Sequence, residues 1–146
     1  MTAAAPDAVV VDTMVVSALM NSVRRPEPAA RYWPLIAERR IVVSFVTVTE
    51  MRYGALKAGW GEFRRRVLDR DLARLTIVEP DNDVMNACAR LRADCERAGH
   101  PLGQKIHEAD RWIAATAIHL GIELVSDDAS FRDVTGLTVI STTEPS

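Results

Sequence analysis

The 146-residue chain has few of the residues that define disulfide-rich or zinc-binding proteins. Its only cysteines, Cys88 and Cys95, fall on one predicted helix, where their spacing puts them about 10 Å apart along the axis. That separation is too long for an internal disulfide, and no zinc-ligand spacing is present. We therefore expect two reduced, buried thiols.

Long apolar runs are also missing. The longest, around Trp112 to Leu120, is too short to span a bilayer and is interrupted by His119. Residues 1–7 lack the basic region and the apolar segment of a secretory signal, and we expect them to form a frayed tail. With 48% hydrophobic and 26% charged residues, the sequence predicts a single soluble domain, residues 1–146, in the cytoplasm.

An excess of positive charge is absent as well. The formal net charge is −2, so composition alone makes no case for binding a nucleic acid. Arginine supplies 16 of the 18 basic residues, however, and a guanidinium matches phosphate geometry better than an ammonium does. The charge balance thus permits a nucleic-acid substrate without indicating one.

Short apolar runs alternate with segments of helical character. We predict five buried strands, at Val9–Val11, Ile41–Phe45, Leu75–Val78, Ile122–Ser126 and Leu137–Ile140. The predicted helices are residues 14–23, 31–40, 47–57, 60–70, a long helix capped at 81–83 that reaches residue 98, and 108–120. Strands that alternate with helices predict an α/β fold with a parallel sheet covered on both faces.

Acidic residues stand where such a fold would bring them together. Asp12 follows the first predicted strand, and Asp127 and Asp128 follow the fourth. Glu50 comes after the second strand and a short turn, and Asp110 opens the last helix. Ligands of parallel α/β sheets bind outside the carboxyl ends of the strands, and carboxylates gathered there repel each other unless they hold a cation or share a proton. The pattern predicts a metal-dependent nuclease with an oxygen-ligand site for Mg²⁺ or Mn²⁺.

Each of these acids also has a purely structural alternative. Asp12 could cap the helix that follows it, and Asp110 suits the first turn of its own helix. Glu50 could complete a capping box with Thr47 as the N-cap, and Asp127–Asp128 could form a turn. Sequence alone does not exclude that one residue serves both purposes.

The helix that Asp110 opens is rich in small residues, which would let it lie close to the sheet. These residues are Ala109, Ala114, Ala115 and Ala117. Lys105 and Arg111 flank Asp110, and we predict that they contact the phosphates of the substrate. The three histidines show no pairing with a nucleophile, and we interpret them as structural.

Four segments carry a resemblance to a known family. They are Val11–Thr13, Thr47–Glu50 with Gly54 downstream, Glu108–Ala117, and Leu124–Asp128 followed by Phe131. Together they resemble the PIN domain and, more narrowly, the VapC toxins of bacterial toxin–antitoxin pairs. The resemblance runs from Val9 to about Ile140.

The resemblance implies a PIN-like three-layer α/β/α fold around a mostly parallel sheet of about five strands. It implies an endoribonuclease that hydrolyses RNA with metal-activated water, using one or two Mg²⁺ or Mn²⁺ ions. It also implies inhibition by a cognate VapB-type antitoxin and assembly as a homodimer.

Carried over position by position, the resemblance makes four acids catalytic and metal-binding: Asp12, Glu50, Asp110 and Asp128. Thr13, Ser126 and Asp127 take supporting positions. Asp128 is preferred to Asp127 because the family's acid usually stands two residues after a Thr, and Ser126 fills that place. Met14 departs from the family, which often has a polar residue there that could help to orient Asp12.

Apolar residues on two predicted helices form a candidate groove for the antitoxin. They are Met51, Leu56, Trp60, Phe63, Val67 and Leu68. An amphipathic segment could bind between these helices, although apolar helix faces also pack inward as core. We expect the antitoxin to bind there and to reach the acidic site with a basic residue.

Other α/β enzymes fit the sequence less well. A phosphate-receiver domain would need an acidic pair after the first strand, and a haloacid-dehalogenase phosphatase would need an Asp where Met14 stands. Two alternatives stay open: a catalytically silent PIN-fold interaction module, and a PIN nuclease that acts on DNA or structured nucleic acid.

Overall fold

A five-stranded, wholly parallel sheet organises the computed structural model, which describes residues 7–143. Its strands are β1 (Ala8–Val11), β2 (Arg40–Ser44), β3 (Thr76–Val78), β4 (Leu124–Val125) and β5 (Val139–Ile140). Their spatial order is β3-β2-β1-β4-β5, and each adjacent pair is parallel. The parallel sheet predicted from the alternating pattern is confirmed; residues 1–6 of the predicted tail lie outside the described residues.

Six α-helices connect these strands. They are α1 (Thr13–Met20), α2 (Pro26–Ile36), α3 (Phe45–Lys57), α4 (Glu62–Leu72), α5 (Asn82–Ala98) and α6 (Glu108–Leu120). Short 3₁₀ turns stand at Pro101–Gly103, Lys105–His107 and Ala129–Phe131. Within residues 7–143, no helix combines the length and the apolar character needed to cross a membrane.

Hydrophobic cores lie on both faces of the sheet, which makes the fold three-layered. Alternate residues of β1 point to opposite faces, so Val10 packs with α5 and α6 while Val9 and Val11 pack with the helices on the other side. All three valines are fully buried, which is why the central strand is a continuous apolar run. Both cysteines are free and buried, as predicted.

Two predicted helix boundaries are wrong for identifiable reasons. Helix α2 begins at Pro26, five residues before the predicted start at residue 31, because a helix's first turn tolerates residues without a backbone N–H. Helix α3 begins at Phe45, where Ser44 is the N-cap and accepts a hydrogen bond from the Val46 amide. The structural alternative for Glu50, a capping box with Thr47 as the N-cap, is therefore excluded.

The arrangement of β1, β2, β4 and α6 positions the candidate site. Because β1 is flanked by β2 and β4 in parallel, the residues that follow these strands emerge at one edge of the sheet. Helix α6 packs against β1 and β2 through alanines that are almost completely buried. An edge-to-face contact between Phe45 and Trp112, with ring centroids 5.2 Å apart, joins it to α3. The N-terminus of α6 thus reaches the edge where β1 ends.

Candidate active site

Asp12 is the buried centre of this edge, with 5% of its surface exposed. Its Oδ1 accepts a 2.9 Å hydrogen bond from the Val15 amide and caps α1, and Ser126 Oγ donates to its Oδ2. Burial raises the pKa of Asp12, the hydrogen bonds from Ser126 and Val15 lower it, and the charges of Asp128 and Asp110 raise it further. The net effect is a raised pKa, and the fold brings the carboxylates of Asp128 and Asp110 within electrostatic range of Asp12.

Ser126 links Asp12 to the turn that follows β4. Its hydroxyl donates to Asp12 and accepts a 3.0 Å hydrogen bond from the Asp128 amide. The exposed Asp128 side chain caps the following 3₁₀ turn, because its Oδ1 accepts from both the amide and the hydroxyl of Ser130, at 2.9 and 2.8 Å. Ser126 thereby fixes the turn that carries Asp128 beside Asp12.

Asp110 lies in the first turn of α6, and its Oδ2 is 3.0 Å from His107 Nδ1. Both side chains are about one-quarter exposed, at 28% each. His107, which we interpreted as structural, is thus a direct neighbour of a candidate ligand. Sequence reasoning could have found this pair, because three residues separate neighbours across one helical turn.

Glu50 reaches the site through hydroxyl groups. Thr13 Oγ1 lies 2.7 Å from Glu50 Oε1 and 3.1 Å from Thr47 Oγ1. A threonine has a single hydroxyl proton, so when Thr13 donates to Glu50 it can only accept from Thr47. Thr47 is completely buried, and it orients Thr13 rather than capping a helix.

Arg111 has a role different from the phosphate contact that we predicted. It is only 2% exposed, and its Nη1 donates to the carbonyls of Leu102 and Gln104, at 2.8 and 2.6 Å. The guanidinium therefore ties the connection between α5 and α6 to the start of α6. Lys105 lies in that connection and is exposed, so it is accessible to a substrate phosphate.

The Asp127 side chain contacts residues outside its own turn, whereas that of Asp128 caps the 3₁₀ turn that follows. Asp127 accepts hydrogen bonds from Tyr32, Ser141 and Thr142, which belong to other segments of the chain. Burial alone would raise the pKa of Asp127, but the hydrogen bonds from Ser141, Thr142 and Tyr32 outweigh it and lower the pKa to about 2. This carboxylate is ionised, and both of its oxygens accept hydrogen bonds from within the fold.

The acids at this edge suit a divalent cation in charge and in donor type. Among residues 7–143, no Lys or Arg forms an ion pair with Asp12, Glu50, Asp110 or Asp128, and the one basic group at ion-pair distance from any of them is His107, beside Asp110. Carboxylate oxygens are the ligands that Mg²⁺ and Mn²⁺ prefer. Within the same residues, however, no three His, Cys, Asp or Glu side chains are grouped closely enough to hold an ion. Binding would require the exposed side chains to rotate toward Asp12.

The apolar surface between α3 and α4 forms two adjoining clefts. Met51, Trp60, Val67 and Leu68 line a cleft of about 210 Å³, in which the Arg64 guanidinium stacks 3.6 Å from the centre of the Trp60 ring. A neighbouring cleft of about 340 Å³ shares Met51 and Trp60 and extends to Thr13, Met14 and Glu50. The apolar surface is thus continuous with the acidic edge.

Three members of the predicted groove differ from the others in exposure. Leu68 is buried, as the core alternative requires, and it also lines a third cleft of about 130 Å³ together with the exposed Leu56. Phe63 is 81% exposed and stands apart from these clefts. The groove and the core alternatives therefore apply to different residues of the same helices.

This parallel sheet with carboxylates at one edge has the organisation of a PIN-type nuclease, and the sequence comparisons agree. The family model of the PIN domain matches residues 9–137. The VapC ribonuclease Y4jK of Sinorhizobium fredii is 31% identical over 145 residues, which cover 94% of this chain and 99% of the relative. The chain therefore belongs to the PIN-domain family and, within it, to the VapC ribonucleases.

Solved structures show the same fold. A member of the VapBC family of toxin–antitoxin systems, VapBC-5 from Mycobacterium tuberculosis, is 26% identical with a TM-score of 0.67, and the match covers 93% of this chain and 99% of that one. VapBC2 from Rickettsia felis, bound to a DNA fragment from its promoter, is 22% identical with a TM-score of 0.73, and covers 92% and 98%. The ribonuclease relatives make the chain a nuclease, a hydrolase of phosphodiester bonds.

Proposed function

We propose that this ribonuclease is the toxin of a type II toxin–antitoxin pair and that it requires Mg²⁺ or Mn²⁺ to cleave RNA internally. The observation that carries the metal dependence is the buried Asp12, whose pKa is raised by burial and by the charges of Asp128 and Asp110. No basic side chain among residues 7–143 forms an ion pair with it. A bound cation would relieve this repulsion.

In this proposal, Asp12 and Asp110 are the principal ligands, and Glu50 and Asp128 complete the acidic set. When bound, the metal would supply Lewis-acid stabilisation of phosphate charge and a lower pKa for a water nucleophile. The chain itself keeps the ligands in place: Ser126 and the Val15 amide hold the Asp12 carboxylate. Thr13 holds Glu50 by a 2.7 Å hydrogen bond. Lys105 is exposed beside the N-terminus of α6 and would contact a phosphate of the RNA.

Cleavage of a single-stranded RNA in the presence of Mn²⁺ tests the site. Asp12→Asn and Asp110→Asn should each abolish cleavage, whereas Asp83→Asn, which changes an exposed acid in the first turn of α5, should not. Equal loss in the control, or full activity in both site variants, would refute the assignment. A DNA strand of the same sequence distinguishes RNA from DNA as the substrate. Equal cleavage of the DNA would favour the DNA alternative. Failure of the wild-type protein both to bind Mn²⁺ and to cleave would favour the silent module.

We also propose that a VapB-type antitoxin binds in the clefts between α3 and α4. Two features support this proposal: the solved structures that resemble the chain include toxin–antitoxin complexes, and the clefts extend from Trp60 to Glu50. A basic residue of the bound segment would meet the uncompensated carboxylates. The family leads us to expect a homodimer too, which sedimentation of the purified protein would test.

A double charge substitution tests this docking surface. Trp60→Glu with Val67→Glu, at two residues that line the cleft of about 210 Å³, should release the toxin from its antitoxin in co-expression, because buried acidic groups oppose an apolar contact. Tyr53→Glu is a matched control, since this aromatic is also exposed, on α3, but lines none of these clefts. Retained inhibition in the folded double variant would contradict the proposal. Circular dichroism would reveal whether the fold survives the changes.

A further inference from the structure

The side chain of Asp127 has no acceptor capacity left for a metal. Its Oδ1 accepts from Ser141 Oγ at 2.7 Å and from the Thr142 amide at 2.8 Å. Its Oδ2 accepts from Tyr32 Oη at 3.1 Å and from Thr142 Oγ1 at 2.6 Å. An ionised carboxylate offers about four lone-pair sites, and all four are filled. Asp127 is therefore not a ligand, although it stands between two residues that contact the site.

These two residues, Ser126 and Asp128, have different contacts from those of Asp127. Ser126 donates to Asp12 and accepts from the Asp128 amide. In the turn 126–128, the middle residue is thus fastened to α2 and to the segment after β5, while Ser126 contacts Asp12 and holds the backbone of Asp128. The turn needs such an anchor because β4 and β5 are only two residues long each and supply few backbone hydrogen bonds.

We propose that Asp127 is a positioning residue of the nuclease, which clamps Tyr32 and the segment 141–142 to the turn and thereby holds Ser126 and Asp128 against Asp12. This role rests on the proposed metal site, because its consequence is the affinity for the cation. The residues that donate to Asp127, which are Tyr32, Ser141 and Thr142, contribute to the same positioning role. Ser141 and Thr142 follow β5, so their hydrogen bonds to Asp127 join the segment after β5 to the turn that precedes the candidate site.

Substitutions of the donors test the clamp without altering any acid. Tyr32→Phe and Thr142→Val each remove one hydroxyl that donates to Asp127, and Thr142→Ser keeps that hydroxyl as a matched control. Asp127→Ala removes all four hydrogen bonds. The readouts are the Mn²⁺ dissociation constant of the RNA-free protein, from the electron paramagnetic resonance signal of free Mn²⁺, and the melting temperature without metal. Turnover at saturating Mn²⁺ is measured beside them.

We expect the Mn²⁺ dissociation constant to rise about 10- to 100-fold in Asp127→Ala, the usual effect of losing a group that orients metal ligands. Tyr32→Phe and Thr142→Val should raise it by smaller factors, and Thr142→Ser should match the wild type. Turnover at saturating Mn²⁺ should stay at the wild-type value in the control Thr142→Ser.

Two results would overturn the inference, and they differ from each other. Unchanged Mn²⁺ affinity in Tyr32→Phe and Thr142→Val, together with a lower melting temperature, would reduce Asp127 to an ordinary structural contact. These single variants also cover the case in which Asp127→Ala fails to fold. If the wild-type protein itself binds no Mn²⁺, the proposed metal site fails, and the role of Asp127 toward it fails as well.

Discussion

Replacing Asp12 by Asn should abolish cleavage and leave the metal-free protein as stable as the wild type or more so. Asn caps helices as well as Asp does, so its oxygen can keep the hydrogen bond from the Val15 amide. Its amide group can donate to Ser126, whose hydroxyl then accepts instead of donating. What disappears is a buried negative charge that Asp128 and Asp110 repel.

The magnitude follows from opposing contributions. Burial and the charges of Asp128 and Asp110 destabilise the ionised form of Asp12 and raise its pKa, and the Asn variant recovers this cost. Exchanging the charge-assisted hydrogen bond of Ser126 for a neutral one loses about 1 kcal/mol. Asp12→Ala recovers the same charge but also loses the helix cap, at about 1 kcal/mol. We expect Asn to exceed Ala by at least this amount, roughly 3–4 °C in melting temperature for a chain of this length.

The pH dependence has a definite sign. The pKa of Asp12 is higher in the folded protein than its ordinary value of 3.8, so the folded state binds this proton more readily than the unfolded state does. The stabilisation from protonation is complete below 3.8 and is lost as pH rises through the folded pKa. Asp12→Asn should therefore show a flatter dependence than the wild type above pH 4.

Thermal unfolding in EDTA between pH 4.5 and 8 checks these expectations, with urea titrations for the free energy of unfolding. If Asp12→Asn were less stable than Asp12→Ala, or steeper in pH than the wild type, the electrostatic account of Asp12 would be refuted. Loss of cleavage alone would leave that account standing, because it tests the ligand role and not the charge.

Three further predictions concern the metal, the buried arginine and the doubled acid. Mg²⁺ or Mn²⁺ at a hundred times its dissociation constant should stabilise the wild type by about 2.7 kcal/mol, and Asp12→Asn should erase most of this shift; a melting temperature indifferent to millimolar ions would argue against a site. Arg111→Met should lower the free energy of unfolding by about 1–3 kcal/mol for each of the two carbonyls left unpaired. An unchanged melting temperature with a raised KM for RNA would instead indicate that Arg111 contacts the substrate, as we predicted from the sequence. At saturating Mn²⁺, Asp128→Asn should reduce cleavage more than Asp127→Asn, and equal losses would mean that both acids contact the metal.

The sequence allowed the sheet and the placement of its acids to be predicted because both follow from local patterns. The uninterrupted valines of β1 could only belong to a strand covered on both faces, and helices between strands imposed parallel pairing. The small residues of α6 predicted its close approach to the sheet, and Ala114 and Ala115 are fully buried. Acids that follow such strands have one edge in common, whatever the details of the loops.

The direction of a side chain within a turn could not be predicted in the same way. Arg111 and Lys105 both flank Asp110 in sequence, but α6 turns Arg111 toward the core. The carbonyls that satisfy its charge belong to the irregular segment before α6, which has no periodic pattern. The helix start at Phe45 was missed for a related reason, since Ser44 and Thr47 are both residue types that occur as N-caps.

The number of hydrogen bonds that a carboxylate accepts shows whether it can bind a metal or only anchors the fold. The distance of the residue from a strand end distinguishes these two roles less well. Each oxygen of Asp12 accepts one hydrogen bond from the described residues, so each retains a lone pair, and Asp12 can cap α1 and bind a cation at once. The capping and metal-binding readings of Asp12 are therefore compatible. Asp127 accepts four hydrogen bonds, from partners 14 to 95 positions away in the chain. No local pattern encodes those partners, so the resemblance could prefer Asp128 as the ligand, but only the folded chain shows what Asp127 does instead.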